Sequence, residues 1–495
     1  MFEAFISAAR ILGDPATWGI MLIGSAAGIA IGILPGLGAM TTVALLLPFV
    51  WKTPPQIGLI LLLAICAGAM VSGCITGILL SVVGEESSVV SIIDGHPMTV
   101  KGEGARAIGA GLSSSLIGSL IAVGMAFVMI PIVRPLVMAF KSSELFLLGM
   151  LGISFIAVLI ERSVIKGVVS GGLGILIGLM GFHPLTGEDR FAFGSLFLYG
   201  GLNLAVVLIG LFGLSEMFDL VLKGQTSISK TEVARTRMKD VFKGTMDCIH
   251  RPGLLLRSAV IGYVVGVIPA TGAMVAQWVA YGQARQTSKT PEQFGKGCVE
   301  GVIAPECSKS AVLAGALLTT LSLGIPGSAI MALFLGAFMM VGVTPGPMLI
   351  LQHLDLVFLL LLGIAASSVI SFVICYAAAG QLCKIVFAPT DFLYPLSLAL
   401  ILSASYATTG QMWDVVVVIC AGLLGLFMER FGYSRPALCL GFVLGKLLEY
   451  YFLTAFKIGG PLFFLTPLSL CILALMVALL LYPYSKNLRQ RWRKA

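Results

Sequence analysis

The sequence predicts an all-α, polytopic integral membrane protein of about 12 transmembrane helices, built as two structurally repeated halves with broken or re-entrant helices. Three observations predict it: the scarcity of charge, the length of the uncharged runs, and a glycine and proline motif that occurs twice. Of 495 residues, 58% are hydrophobic and only 11% are charged, against about a quarter charged in a soluble domain. The 23 acidic and 31 basic side chains are too few to coat a soluble core of this length, so lipid must replace the polar shell.

Uncharged stretches at 107–133, 167–187, 191–215, 258–284, 356–383, 392–413 and 458–485 each reach or exceed the roughly 20 residues that cross a bilayer. The runs 15–51 and 310–354 are too long for one crossing each, while 145–160, 415–428 and 436–445 are short enough to cross, dip in or lie at the surface. Glu3, Arg10 and Asp14 precede the first long run in a pattern unlike a cleaved signal peptide, which is therefore not expected. The ten cysteines form no close pair, and His96, His183, His250 and His353 share no ligand spacing. Neither a disulfide framework nor a metal site is expected, and no cofactor is implied.

The net charge of +8 is concentrated. Lys223, Lys230, Arg235, Arg237, Lys239, Lys243, Arg251 and Arg257 outnumber Glu232, Asp240 and Asp247 within 223–257, and Lys486, Arg489, Arg491, Arg493 and Lys494 crowd the end of the chain. Excess Lys and Arg beside membrane spans marks the cytoplasmic side. The chain therefore divides into a first transmembrane repeat, 1–222, a basic cytoplasmic linker, 223–257, a second repeat, 258–484, and a basic cytoplasmic tail, 485–495. No broad basic field of the kind that binds nucleic acid remains.

The halves share a motif. GIAIGILPGLGAM at 28–40 aligns with GYVVGVIPATGAM at 262–274 at an offset of 234, with Gly28, Gly32, Pro35, Gly38, Ala39 and Met40 each repeated. A second interruption follows each copy, LLSVVGEES at 79–87 and LSLGIPGSA at 321–329, where Gly84 and Gly327 lie 243 apart. Such breaks free backbone groups at a cost of several kcal/mol each in hydrocarbon, so they survive only where protein or a water-filled cavity satisfies them. Paired breaks in corresponding places of two halves point to a carrier's binding site, because half-helix ends and unwound backbone hold ions and anions. The plain alternative is that Gly and Pro merely kink and pack membrane helices.

Candidate residues follow from the breaks. Gly36, Leu37 and Gly38 offer backbone groups in the first, Thr41 and Thr42 offer hydroxyls, and Thr271 and Gly272 occupy the matching turn; such groups suit a substrate rich in carboxylates or hydroxyls. Gly324, Pro326, Gly327 and Ser328 read as a re-entrant tip, with Gly84, Ser87 and Ser88 as its first-half counterparts. Glu85 and Glu86 stand beside the first-half break and Lys309 just before the second-half apolar run, and ionisable groups at membrane depth are functional by default. Lys309 is expected either to bind a substrate carboxylate or to pair with Glu85 or Glu86; against this stands a reading in which all three lie in wet loops. Glu300 and Glu306 belong to the polar stretch 285–309 with Arg285, Lys289 and Lys296, where a solvated loop with ion pairs is the default. Asp94 and Arg106 read as loop or interface residues.

At these residues the sequence resembles the large transmembrane subunit of the tripartite tricarboxylate transporter family, TctA. The matching segments are GILPGLGAMTTVALLLPF at 32–49, DGHPMTVKGEGARAIG at 94–109, FGKGCVEGVIAPE at 294–306 and LGIPGSAIMALFLGAFMMVGVTPGP at 323–347. The resemblance implies a secondary carrier in a bacterial inner membrane that imports small organic anions, di- or tricarboxylates, driven by Na+ or H+. It also implies two partners, a small membrane subunit and a periplasmic solute-binding protein. Two motifs depart from the family pattern. Ser81-Val82-Val83-Gly84 followed by Glu85 and Glu86 stands where the family has Asn-x-Pro-Gly, and Lys309 and Ser310 replace an Asn pair after Glu306. These exchanges remove neutral oxygen ligands and add ionisable groups, which leaves substrate and coupling ion open. A self-sufficient organic-acid carrier is one alternative and a channel another. An enzyme is not expected, since no nucleophile elbow, paired histidines or metal-ligand helix is present.

Overall fold

The computed structural model describes residues 1–33, 38–50, 53–80, 88–159, 163–183, 187–223, 237–268, 271–385 and 390–492. Helix α1, Phe2–Leu12, leads into α2, Pro15–Gly32, whose start is set by Pro15 at the first position and by Asp14, which accepts from Ala16 N at 3.1 Å. After the first break the chain resumes as α3, Ala39–Leu46, then α4, Pro55–Leu80, and α5, Val89–Val100. Gly102, at φ 81°, closes α5 with Gly102 N on Thr99 O and Glu103 N on Met98 O, a Schellman turn. Helix α6, Gly104–Met138, is followed by α7, Ser142–Leu159, and α8, Val164–Gly178.

The run 191–215, long enough for one crossing, does not form a single helix. Gly194 and Gly201 hold φ of 75° and 78°, and Phe191 and Phe193 also lie at positive φ. Just ahead of the run the chain makes the short antiparallel pair β1, Gly181–Phe182, and β2, Asp189–Arg190, and within it a single turn, α9, Leu196–Tyr199. Continuous helix begins only at α10, Leu204–Leu208, capped by Asn203, and runs through a π-helical turn, Ile209–Leu214, into α11, Ser215–Lys223. Hydropathy is blind to such glycine conformations.

The second part of the basic linker is packed structure: α12, Met238–Ile249, lies so close on α6 that a Cβ at Gly109 would fall 1.9 Å from Val241 O. Helix α13, Pro252–Val267, starts inside the expected linker bounds; α14, Gly272–Thr287, follows the second copy of the break, and the expected single crossing 258–284 is thereby split. Then come α15, Glu300–Leu323; α16, Ala329–Met340; α17, Pro347–Gln352; α18, Leu354–Ala377; and α19, Ala379–Ile385. The chain ends with α20, Thr390–Thr409; α21, Met412–Phe431; α22, Arg435–Gly459; and α23, Pro467–Trp492.

Among the described residues, seven helices are long and apolar enough to cross a membrane, and shorter apolar helices accompany them. The molecule is thus an all-α, multi-pass membrane protein, with one minor strand pair among the described residues. Helix α15 is buried throughout its apolar stretch, whereas α6 exposes Val128, Ile132 and Leu136 on a face suited to lipid.

Close glycine contacts give the helix directions around α15. A Cβ at Gly28 would fall 2.1 Å from Ile65 O, and one at Gly32 would fall 2.5 Å from Ala69 Cα, so α2 and α4 run parallel. Gly262 meets Ser308 O at 2.2 Å and Gly266 meets Val312 O at 2.5 Å by the same measure, so α13 and α15 also run parallel. Helices α4 and α15 are antiparallel: Met70 lies beside Lys309, while Cys74, one turn on, lies beside Glu306, one turn back.

Candidate functional site

Threonine hydroxyls satisfy the broken helix ends. Thr76 Oγ1 of α4 donates to Ile33 O at 2.6 Å, where α2 stops, and Thr319 Oγ1 of α15 donates to Val267 O at 3.0 Å, where α13 stops. Each hydroxyl thus satisfies a backbone carbonyl at a helix end inside the bundle. Gly38 O accepts from both Thr42 N at 3.0 Å and Thr42 Oγ1 at 2.9 Å; Thr41 and Thr42 are buried in the first turn of α3. Thr271 Oγ1 bonds Val265 O at 2.5 Å and Ile268 O at 3.0 Å, and Gly272 opens α14 at φ 70°. Gly36, Leu37, Gly84, Glu85, Glu86 and Ser87 lie outside the described residues.

The re-entrant candidates of the second half meet the other break of that half. Gly324, at φ 70°, ends α15; Pro326 is buried; Ser328 caps α16 by accepting from Met331 N at 3.3 Å. A Cβ at Gly327 would fall 2.6 Å from Gly266 O, two residues before α13 breaks.

Lys309 and Glu306 do not lie in a solvated loop. From Glu300 onward the stretch expected to be wet is helix α15, and both side chains are fully buried one helical turn apart. Lys309 Nζ stands 2.6 Å from Glu306 Oε2 and donates to Met70 O at 2.9 Å and to Ser88 Oγ at 3.0 Å. Glu306 Oε1 accepts from Ser91 Oγ at 2.6 Å, and Oε2 accepts from Ser115 Oγ at 3.2 Å. Helices α4, α5, α6 and α15 therefore converge on one ion pair. Ser88 is the first described residue after the 81–87 interruption, so the first-half break and Lys309 are brought together. The pairing expected with Glu85 or Glu86 falls outside the described residues, and within them the carboxylate partner is Glu306. Ser310, the next residue on α15, is almost wholly buried with no hydrogen-bond partner for its hydroxyl.

Glu300 lies apart from this centre, at the helix start, where Arg251 Nε reaches its Oε1 at 3.2 Å. Arg106 binds Asp247 at 2.6 Å and Glu103 at 3.0 Å, and both contacts are partly exposed. They tie α6 to α12 at the same end of the bundle.

Asp94 is more than a loop residue. It is fully buried in α5, and its Oδ1 accepts from Gly295 N and Gly297 N at 2.9 Å and from Cys298 N at 2.8 Å, just ahead of the α15 N-terminus. The carboxylate thus caps the loop leading into α15 from another part of the chain. Ser91, Ser115 and the Met70 carbonyl were also not singled out by the sequence. The available signal was the Asp94 carboxylate within an apolar run, and the Ser113-Ser114-Ser115 triplet in the uncharged run 107–133.

The family model described as "Tripartite tricarboxylate transporter TctA family" matches residues 19–440, a span that takes in both helix breaks and the ion pair. The chain belongs to the TctA family. This is a family of membrane transporter components, not of enzymes. A protein of Agrobacterium vitis named "Uncharacterized 52.8 kDa protein in TAR-I ttuC' 3'region" is 31% identical over 95% of this chain and 93% of its own length. A second from the same organism, "Uncharacterized protein in TAR-II ttuC' 3'region", is 29% identical over 46% of this chain and 96% of its own length. No solved structure matches. Within this TctA chain, Lys309 is a fully buried cation held by Glu306, the Met70 carbonyl and the Ser88 hydroxyl.

Proposed function

We propose that the chain is the transporting subunit of an ion-gradient-driven carrier that imports organic anions, di- or tricarboxylates, across a bacterial inner membrane. It works with a small membrane subunit and a periplasmic solute-binding protein, and its linker and C-terminal tail face the cytoplasm. The observation that carries the reading is the buried Lys309–Glu306 pair at 2.6 Å, set beside an interrupted helix of the other half. A buried ion pair is a poor device for stability, since apolar side chains of similar size serve as well or better. At membrane depth it is a functional centre by default.

Two halves related by inversion give alternating access when one moves against the other, and the helix directions support that relation. Parallel pair α2 and α4 is antiparallel to parallel pair α13 and α15. The contacts Gly28–Ile65 and Gly262–Ser308, and the bonds Thr76–Ile33 and Thr319–Val267, recur at the same two offsets, 234 on the first helix of each pair and 243 on the second.

Uptake of radiolabelled mono-, di- and tricarboxylates into proteoliposomes, with and without the two partner proteins, tests the reading. Saturable accumulation that collapses with the ion gradient is expected. Linear, gradient-indifferent flux would instead make the chain a channel, and full activity without partners would make it self-sufficient.

A further inference from the structure

The two halves are not packed alike, and the difference falls on the helices that follow their breaks. Helix α3 leads to the start of α4, and α16 continues from the end of α15, so both lie toward the end of the bundle away from α12. Their repeat counterparts, α14 at the offset of 234 and α5 at 243, lead to the starts of α15 and α6 and lie toward the α12 end.

Val43 and Leu47 beside and just beyond α3 are buried, and so are their counterparts Gln277 and Tyr281 on α14. On the other face the copies part. Ala44 is wholly buried and Met40 partly, while Trp278 and Met274 are 48% and 46% exposed. Helices α16 and α5 differ in the same sense. Ala332 and Leu335 are buried, and a Cβ at Gly336 would fall 2.3 Å from Leu204 Cδ2 of α10, whereas their counterparts Val89, Ile92 and Ile93 stay partly exposed.

The covering surfaces are themselves repeated. Helix α3 rests on the π-helical turn Ile209–Leu214, and α16 rests on α10 and α22. Gly422 and Gly425 set α21 against that π-helical turn, as Gly171 and Gly174 set α8 against α22, so α22 is the counterpart of the segment that covers α3. Among the described residues, α14 and α5 pack on each other and on α4, α6, α13 and α15, with no comparable packing on α22.

We infer that this structure is the state of the carrier shut at the far end and open at the α12 end, and that the opposite state forms when α14 and α5 close on α22. This rests on the carrier reading above. Trp278 and Met274 then line a water-filled crevice rather than the lipid boundary, since the face they occupy is the one that its copy buries against protein. In the opposite state Gly336 leaves Leu204, and Ala44 becomes reachable from the far end. The exchange covers one apolar face as it uncovers its copy, which keeps the two states close in free energy and lets a bound substrate select between them.

The test uses right-side-out and inverted membrane vesicles from cells expressing the full chain together with the genes beside it. Trp278→Cys and Ala44→Cys are labelled with a membrane-impermeant maleimide and read by the mass of the labelled peptide, so the natural cysteines do not enter. Lys243→Cys on exposed α12 marks the linker side. Trp278→Cys should label from the side that labels Lys243→Cys. Oxidising Leu204→Cys/Gly336→Cys to a disulfide should keep that labelling, protect Ala44→Cys from both sides, and stop uptake of radiolabelled carboxylates until the bond is reduced. Gly336→Leu, which collides with Leu204, should cut Trp278→Cys labelling and raise Ala44→Cys labelling from the far side, by about tenfold, the change when a minor state becomes the major one. Should Gly336→Leu fail to reach the membrane, the disulfide pair and the single reporters decide. Trp278→Cys that resists the reagent from both sides faces lipid, and the proposal fails. It fails equally if the oxidised pair transports like the wild type, or if Gly336→Leu reaches the membrane and changes neither labelling rate. Wild-type uptake of none of the carboxylates would overturn the carrier reading instead, while the labelling, which needs no substrate, would still decide between the two states.

Discussion

Tyr281 Oη donates to Asp94 Oδ2 at 2.9 Å, joining α14 of the second half to α5 of the first across 187 positions of sequence. The other oxygen of Asp94 holds the backbone of Gly295, Gly297 and Cys298, so one carboxylate closes the end of the bundle where α15 begins. A Cβ at Gly301 would fall 2.1 Å from that carboxylate, which shows how tightly the closure is packed.

Asp94→Asn replaces charge-assisted bonds with neutral ones and turns an amide donor toward backbone donors. The expected loss is about 2 kcal/mol, the scale for hydrogen bonds to a charged group, read as a lower unfolding temperature in detergent. Cys298 reports the same event locally. Burial pushes its thiol up from the ordinary range, so little thiolate is present at neutral pH and maleimide labelling is slow. In Asp94→Asn the loop opens, the thiol titrates closer to its ordinary value, and labelling at neutral pH should accelerate. Unchanged labelling would show that the loop is held by packing alone.

The Lys309–Glu306 pair makes a second prediction through its asymmetry. Lys309→Met alone leaves Glu306 buried and unpaired, which should cost about 3–5 kcal/mol. The double variant Lys309→Met/Glu306→Leu removes both charges and should recover most of that stability while transporting nothing. Comparing the unfolding temperatures of the two variants separates folding from function. If the double variant is no more stable than the single one, the charges are bound up in more of the structure than this pair.

Much of this architecture was legible in the sequence, for physical reasons that can be named. Absence of charge identifies membrane helices because hydrocarbon excludes charge, and Gly28, Gly32 and their copies located the breaks because a broken helix needs special backbone. Asp94 and Ser115 were not legible as site residues, since their partners lie some 200 residues away in sequence. Glu306 is a different case: its spacing of three from Lys309 is the pairing distance of a helix, and the information was present once 300–309 is read as helical. Loop composition at 285–299 concealed it. The interrupted run 191–215 shows the converse limit, where apolar composition hid the glycines that stop a helix.

The two threonine bonds at the helix ends make a paired prediction. Thr76→Val and Thr319→Val keep shape and remove one hydroxyl each, leaving Ile33 O and Val267 O without that donor. If the halves are equivalent, each should cost about 1 kcal/mol, with similar shifts in unfolding temperature. A large loss in one and none in the other would argue that the breaks serve unlike purposes.

Gly118 and Gly262 pinch α15 from two sides at the turn that carries the ion pair. A Cβ at Gly118 on α6 would fall 2.2 Å from Cys307 O, and one at Gly262 on α13 would fall 2.2 Å from Ser308 O. The obstructing atoms are backbone, so neither helix can accept a methyl group without moving away from α15. Gly118→Ala and Gly262→Ala should each cost at least the roughly 1–3 kcal/mol of an overpacked core, and any protein that folds should hold Lys309 and Glu306 in altered register. The control is Gly172→Ala on α8, where a Cβ meets nothing within 4 Å and the change removes backbone freedom from a helix at no steric cost. Yield and unfolding temperature of the three variants check this directly. Folding of both pinch variants at the wild-type temperature would show that α15 tolerates separation from its neighbours, and would remove close packing as the reason glycine occupies those positions.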